Sequence, residues 1–218
     1  MFFLKKLKNR LLDILFPALE LLTDIKINRT LFCSTCRARL ADNKKICHKS
    51  AQYLLGAATD YNDHVKKLIW RLKYRDRAGF AEPLAQLLAR YLEILNLEIE
   101  AYIVIPAPLS QKRFRERGYN QAELIAKIVA EKFNLPMETG ALIRQKHTPP
   151  QAEVRGWDER KKNIAGCFGV TDPNLIKGKN IILVDDVFTS GATMSEAVHQ
   201  LKDFGAKKIL GLVIAKAG

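Results

Sequence analysis

Apolar residues recur along this chain in two patterns, helical spacing and short runs. Leu4, Leu7, Leu11, Leu15 and Leu19 fall at helical spacing and predict an amphipathic N-terminal helix. Val65, Leu68, Ile69 and Leu72 mark the first member of a helical pair over residues 59–95, whose second member runs over 83–95. Leu124, Ile125, Ile128 and Val129 mark a further helix over 119–133, ended by Asn134 and Pro136. Two short apolar runs, 101–106 and 209–214, and a third, 181–186, that ends in two acids, suit buried parallel strands. A helix over 192–204, with Gly205 as its C-cap, joins the last two. Strand, helix and strand with short connections require a parallel pair and a right-handed crossover. Residues 144–166 are polar, basic and turn-rich, the composition of a long mobile loop. The expected architecture is α/β: a parallel sheet flanked by helices over residues 57–218, preceded by a small basic module over 1–56.

Composition narrows the class. With 218 residues, 48% hydrophobic and 27% charged, the chain is neither disordered nor fibrous and can hold a core without disulfides. Its net charge of +13 favours anionic partners. Residues 1–75 hold 16 Lys and Arg against 6 acids, whereas 76–218 hold 20 against 17, so the excess belongs mainly to the N-terminal third. No segment reads as membrane-spanning, because Asp13, Pro17 and Glu20 interrupt the apolar stretch over 11–22. Lys5, Lys6, Lys8 and Arg10 leave peripheral contact with anionic lipid open. The expected location is cytoplasmic.

Three of the four cysteines cluster, as Cys33-Ser-Thr-Cys36 and Cys47-His48. Two thiolates two residues apart chelate one tetrahedral ion from a tight turn. A complete four-cysteine site would place its last thiolate at Ser50, so two readings stand: structural zinc on Cys33, Cys36 and Cys47 with His48 as a strained fourth ligand or none, or a metal-free knuckle held by packing. Arg29, Arg37, Arg39, Lys44, Lys45 and Lys49 surround it and can face nucleic acid or simply solvent. Cys167, in an apolar stretch, reads as a buried small hydrophobe.

The chemistry concentrates in Ile181-Ile-Leu-Val-Asp-Asp-Val-Phe-Thr-Ser-Gly-Ala-Thr193: a buried strand, two carboxylates at its carboxyl end, and a hydroxyl-rich turn opening a helix. Ligands of open α/β sheets bind beyond such strand ends. Backbone N–H groups of Thr189, Ser190, Gly191, Ala192 and Thr193 at a helix N-terminus suit a phosphate, and the hydroxyls add donors. Asp185 and Asp186 would repel that phosphate and suit sugar hydroxyls or a hydrated Mg2+. A capped helix after a buried strand accounts for one hydroxyl and leaves the acid pair unexplained. No Gly-Lys-Ser/Thr is present, which argues against an ATPase.

Val184-Asp-Asp-Val-Phe-Thr-Ser-Gly-Ala-Thr193 resembles the phosphoribosyl pyrophosphate (PRPP) motif of type I phosphoribosyltransferases. The cysteine pair, Leu68-Ile-Trp-Arg-Leu-Lys-Tyr74, Ile105-Pro-Ala-Pro108, Arg117-Gly-Tyr-Asn-Gln-Ala122, and Gln151 with Arg160-Lys-Lys-Asn-Ile164 narrow the resemblance to the ComF family of competence-related proteins. The resemblance implies that Asp185 and Asp186 hold the ribose hydroxyls, and that residues 189–193 cradle the 5′-phosphate. It places Pro106 and Ala107 in the pyrophosphate-contacting turn, with Arg117, Asn120 and Gln121 behind it as further contacts or as caps of the next helix. Arg144, Lys146, Arg160 and Lys161 fall in a flexible lid. It further implies Mg2+ with PRPP, a structural zinc that Ser50 puts in question, and a role in DNA uptake beside a helicase or other DNA-processing protein. Two functions follow: transfer of phosphoribose from PRPP to a base or amine, or a basic module that binds single-stranded DNA and keeps the PRPP site for binding or regulation. Trp70, Tyr74 and Phe114, interleaved with basic residues, can stack bases, although core packing is the expected role of Trp70.

Overall fold

The computed structural model describes residues 25–40, 51–74, 78–146 and 164–217. The expected N-terminal helix lies outside the described residues, as do Cys47, His48, Arg160 and Lys161. The described elements run β1 (Phe32–Cys33), β2 (Leu54–Asp60), α1 (Asp63–Leu72), α2 (Ala81–Leu95), β3 (Tyr102–Pro106), α3 (Gln111–Arg117), α4 (Gln121–Lys132), β4 (Leu142–Arg144), β5 (Phe168–Val170), β6 (Asn180–Phe188), α5 (Ala192–Asp203) and β7 (Lys208–Lys216).

Five strands form one sheet in the order β1-β2-β7-β6-β3. All neighbours are parallel except β1, which runs antiparallel to β2 with Phe32 opposite Leu55. The strands are buried on both faces, which explains their unbroken apolar sequences. Ile182, Val184, Leu210, Leu212 and Ile214 pack with α1, α2 and α4 on one face. Ile181, Leu183, Ile209 and Val213 pack with α5 and the small β4–β5 sheet on the other. Cys167 is buried in this second cluster, as expected. Among the described residues no helix is long and apolar enough to cross a membrane.

Two departures from the expected pattern bear on the site. Residues 54–60 are a strand absent from the expected pattern, and its last two residues fall where the helical pair was expected to begin. Their small residues reflect close packing: a Cβ on Gly56 would lie 2.9 Å from Leu212 and 3.1 Å from Tyr91. Residues 111–117 form a helix with no buried side chain, begun by Ser110, which accepts from the Arg113 N–H, and ended by Gly118 at φ 83°. A helix without an apolar stripe leaves no periodic signal.

Candidate functional site

The parallel strands bring their carboxyl ends to one edge, and the acid pair stands there. Ala107 N–H donates to the Val184 carbonyl at 2.8 Å, continuing the β3–β6 ladder and setting the Pro106–Ala107 turn beside Asp185. Asn120 is buried and braces that turn: its amide donates to the Ala107 carbonyl at 3.1 Å while its Oδ1 accepts from Ala122 N–H, capping α4. Asp186 N–H donates to Asp185 Oδ1 at 2.8 Å. Desolvation, then repulsion from Asp186, pushes the Asp185 carboxyl up to about 7, against the pull of that N–H, Lys73 and Arg144. The pair therefore favours a ligand that brings hydroxyl donors or a divalent cation.

After Phe188 the chain passes through Thr189, Ser190 and Gly191 into α5. Gly191 is the N-cap at φ 80°, and a Cβ there would overlap the Phe188 ring. Conformation and space both demand glycine. Ser190 Oγ accepts from Ala192 N–H over a long 3.4 Å, and Ser195 N–H bonds the Gly191 carbonyl. The first N–H groups of a helix have no intrahelical acceptor, so this turn offers donors to an anion.

Cations face the acid pair from three elements. Lys73, just past α1, pairs with Asp186 at 2.9 Å, both partly buried. Tyr119 fixes that approach by donating to the Leu72 and Tyr74 carbonyls at 2.6 and 2.7 Å. Arg113 of α3 and Arg144 of β4 lie in the electrostatic reach of Asp185. Burial, then repulsion from Arg117, lowers the Arg113 pKa; burial, then repulsion from Arg113, lowers that of Arg144. Guanidinium groups crowded in this way are relieved by a bound polyanion. Beside them opens a cavity of about 1080 Å3, lined by Pro106, Ser110, Lys112, Arg115 and Arg144.

The residues singled out from the sequence thus converge in part. Asp185, Asp186, the 189–193 turn, Pro106, Ala107 and Arg144 meet at one sheet edge. Arg117 bonds Gln121 Oε1 at 2.8 Å, a contact between α3 and α4. Lys146 is exposed, near Gly166. Cys33 is buried in β1 and Cys36 is exposed. Among the described residues no three metal-ligating side chains cluster. Trp70 corrects an expectation: it is 57% exposed and packs on Tyr74, itself 47% exposed, with ring centroids 4.1 Å apart. The buried positions of α1 are Val65, Leu68, Ile69 and Leu72, and Trp70 lies off that stripe. Sequence reasoning did not assign Lys73 or Arg113 to the site. The only available signal for Lys73 was the basic turn after an apolar helix, and for Arg113 a run of basic residues.

A family profile described as "Phosphoribosyl transferase domain" matches residues 120–217. Competence protein F of Haemophilus influenzae is 29% identical over 163 residues, which cover 72% of this chain and 70% of that protein. Competence protein ComFC of Bacillus subtilis is 28% identical over 175 residues, 79% of this chain and 65% of its own length, just under two thirds. DNA utilization protein YhgH of Escherichia coli is 29% identical over 160 residues, 71% of this chain and 68% of that protein. With the parallel sheet and the domain match, the chain has a type I phosphoribosyltransferase fold, and over most of its length it is similar to competence proteins of the ComF family.

Proposed function

We propose that the protein binds PRPP with Mg2+ at the carboxyl edge of β6 and acts in DNA uptake, as the names of its relatives suggest. The observation that carries the reading is the acid pair followed at once by a glycine-hinged, hydroxyl-rich turn at a helix N-terminus, with Arg113 and Arg144 facing it. On this reading Asp185 and Asp186 accept from the ribose hydroxyls and the 189–193 turn donates to the 5′-phosphate. Pyrophosphate lies between the Pro106–Ala107 turn and the two arginines. Carboxylate oxygens in a desolvated, mutually repelling pair are hard donors suited to Mg2+, which when bound neutralises phosphate charge. Lys73 holds Asp186 until a ligand competes for it.

The DNA-binding surface would be the exposed aromatics and cations flanking this cleft: Trp70 with Tyr74 beside Lys66, Lys67 and Arg71 of α1, and Phe114, 49% exposed, beside Lys112 and Arg115 of α3. Stacking platforms set among cations are how single strands are held without sequence preference. A DNA-processing protein such as a helicase would then be the partner. A structural zinc on Cys33, Cys36 and Cys47, with His48 as fourth ligand or none, would tie down the basic segment.

The second reading is an active phosphoribosyltransferase, favoured by the 1080 Å3 cavity beside the pyrophosphate side, which leaves room for an acceptor. There the acceptor's lone pair forms a bond to ribose C1 as the bond from C1 to pyrophosphate breaks, and the arginines stabilise the departing charge. Calorimetric titration of PRPP, with and without Mg2+, tests the binding reading: saturable Mg2+-dependent binding is expected, and none would overturn it. A pyrophosphate-release assay over bases, amines and nucleic-acid ends separates binding from transfer.

A further inference from the structure

The turn over 189–193 is held by a residue from the hairpin that follows β1, at the other end of the described sequence. Arg37 follows the cysteine pair in a hairpin closed by Arg37 N–H to the Cys33 carbonyl (2.9 Å) and Cys33 N–H to the Ala38 carbonyl (3.0 Å). Its side chain crosses to the carboxyl edge of β6. Nη2 donates to the Ser190 carbonyl at 2.9 Å, and the guanidinium lies 5.4 Å from the centroid of Phe188, the ring on which Gly191 rests. Arg37 also takes φ 61°, a left-handed backbone that side chains other than glycine seldom adopt. Such an outlier persists where surrounding contacts require it.

The bond matters because of the peptide it grips. The Ser190–Gly191 peptide precedes a glycine, so it can flip between two orientations at little steric cost. In a trans peptide the carbonyl and the following N–H point in opposite directions. There is no cis bond among the described residues. Holding the Ser190 carbonyl toward Arg37 therefore turns the Gly191 N–H away from the N-terminal hairpin.

We propose that Arg37 is a positioning residue for the phosphate turn: it locks the Ser190–Gly191 peptide in the orientation that presents the Gly191 N–H to the ligand's 5′-phosphate. The phosphate site is then shared between the cysteine-bearing hairpin and the segment 120–217 that matches the phosphoribosyl transferase profile. Tyr53, whose hydroxyl lies 3.3 Å from Ser195 Oγ, supports the same seam, where Ser34, Thr35, Arg37, Tyr53, Ser190 and Ser195 line a small polar cavity of about 220 Å3. The inference rests on the PRPP reading and adds to it a specific division of labour. The 5′-phosphate depends on Arg37, whereas pyrophosphate, held at the other side, does not.

The test is calorimetry of the full chain with three ligands: Mg2+–PRPP, ribose 5-phosphate and Mg2+–pyrophosphate. Arg37→Ala removes the guanidinium. Arg37→Gly removes it while accepting the left-handed backbone without strain, so the turn keeps its fold. Both variants are expected to lose roughly tenfold in affinity for PRPP and ribose 5-phosphate, the scale of one charge-assisted hydrogen bond, with pyrophosphate affinity unchanged. Arg37→Lys, which keeps the charge with a single compact donor, should fall between. A wild type that binds PRPP, with an Arg37→Gly variant that binds ribose 5-phosphate equally well, would overturn the brace and leave the PRPP reading standing. Equal losses for ribose 5-phosphate and pyrophosphate would also overturn it, since general loosening moves both. A wild type that binds no PRPP removes both.

Discussion

The two flanks of the candidate site differ in the physics by which they would hold an anion. On one flank, the 189–193 turn offers backbone donors whose directions are set by Gly191, Phe188 and the start of α5, with side-chain charge only behind it. On the other, Arg113, Arg144 and Lys73 come from separate elements and repel or compensate one another around two carboxylates. The first flank is a shape set by the backbone and the second is a balance of side-chain charges. A ligand with a phosphomonoester at one end and a diphosphate at the other, joined by a polyol, would use both.

Experiments that separate the flanks follow in order of expected effect. Asp185→Asn combined with Asp186→Asn strikes the junction of the two. PRPP affinity should fall by at least about a hundredfold, given roughly 1.5–3 kcal/mol per charged hydrogen bond. Salt-sensitive binding of single-stranded DNA should persist, because it depends on phosphate neutralisation elsewhere. Parallel loss of DNA binding in a folded variant would merge the two surfaces into one. Gly191→Ala attacks the shaped flank: with φ 80° and the Phe188 overlap, a loss of about 1–3 kcal/mol in stability is expected. Melting would show that loss, together with failure to bind ribose 5-phosphate. Arg113→Ala or Arg144→Ala attacks the charged flank and should weaken pyrophosphate roughly tenfold while sparing ribose 5-phosphate. The reverse selectivity would exchange the roles of the flanks.

The acid pair adds a pH signature of smaller size. Asp185 is pushed up from 3.8 to about 7 by desolvation and by Asp186. If the ligand requires its carboxylate, affinity rises by up to about tenfold per pH unit as pH approaches 7, and levels off above. Stability runs the other way. Between 3.8 and about 7 the folded chain binds more protons than the unfolded one, so stability falls as pH rises through that window. Asp185→Asn should therefore stabilise the ligand-free protein at pH 8, with little change at pH 4. Equal melting shifts at both pH values would show that Asp185 is not strained.

What the sequence made legible was the part whose information is local. An unbroken apolar strand, two acids, a Thr-Ser-Gly turn and a helix follow one another within residues 180–203, and the structure keeps that order. The parallel pairing of β6 with β7 followed from short connections alone. The parts that escaped are those created by tertiary approach. Lys73 reaches Asp186 across 113 positions because Tyr119 anchors the end of α1, and no spacing rule anticipates that contact. Arg37 read as a surface charge near the cysteines, yet its side chain finds the Ser190 carbonyl 153 positions away. Strand β2 was hidden by Gly56 and its alanines, chosen for close approach to Leu212 and Tyr91 and poor in the β-branched residues that announce strands. Trp70 shows the converse: core packing was its expected role, and its position off the buried stripe of α1 leaves it exposed.

The strand order has a consequence for how the protein is made. β7, the last described strand in sequence, lies in the middle of the sheet, between β2 and β6. During synthesis β2, β3 and β6 all leave the ribosome before the strand that joins them. Until residues 208–216 arrive, β2 and β6 each present an unpaired, apolar edge, the kind of surface that recruits other chains. Non-local pairing of this sort is slow to form. The strand that completes the sheet also carries Lys216 into register with Phe188, so the 189–193 turn can take its final support only when the rest of the sheet has closed.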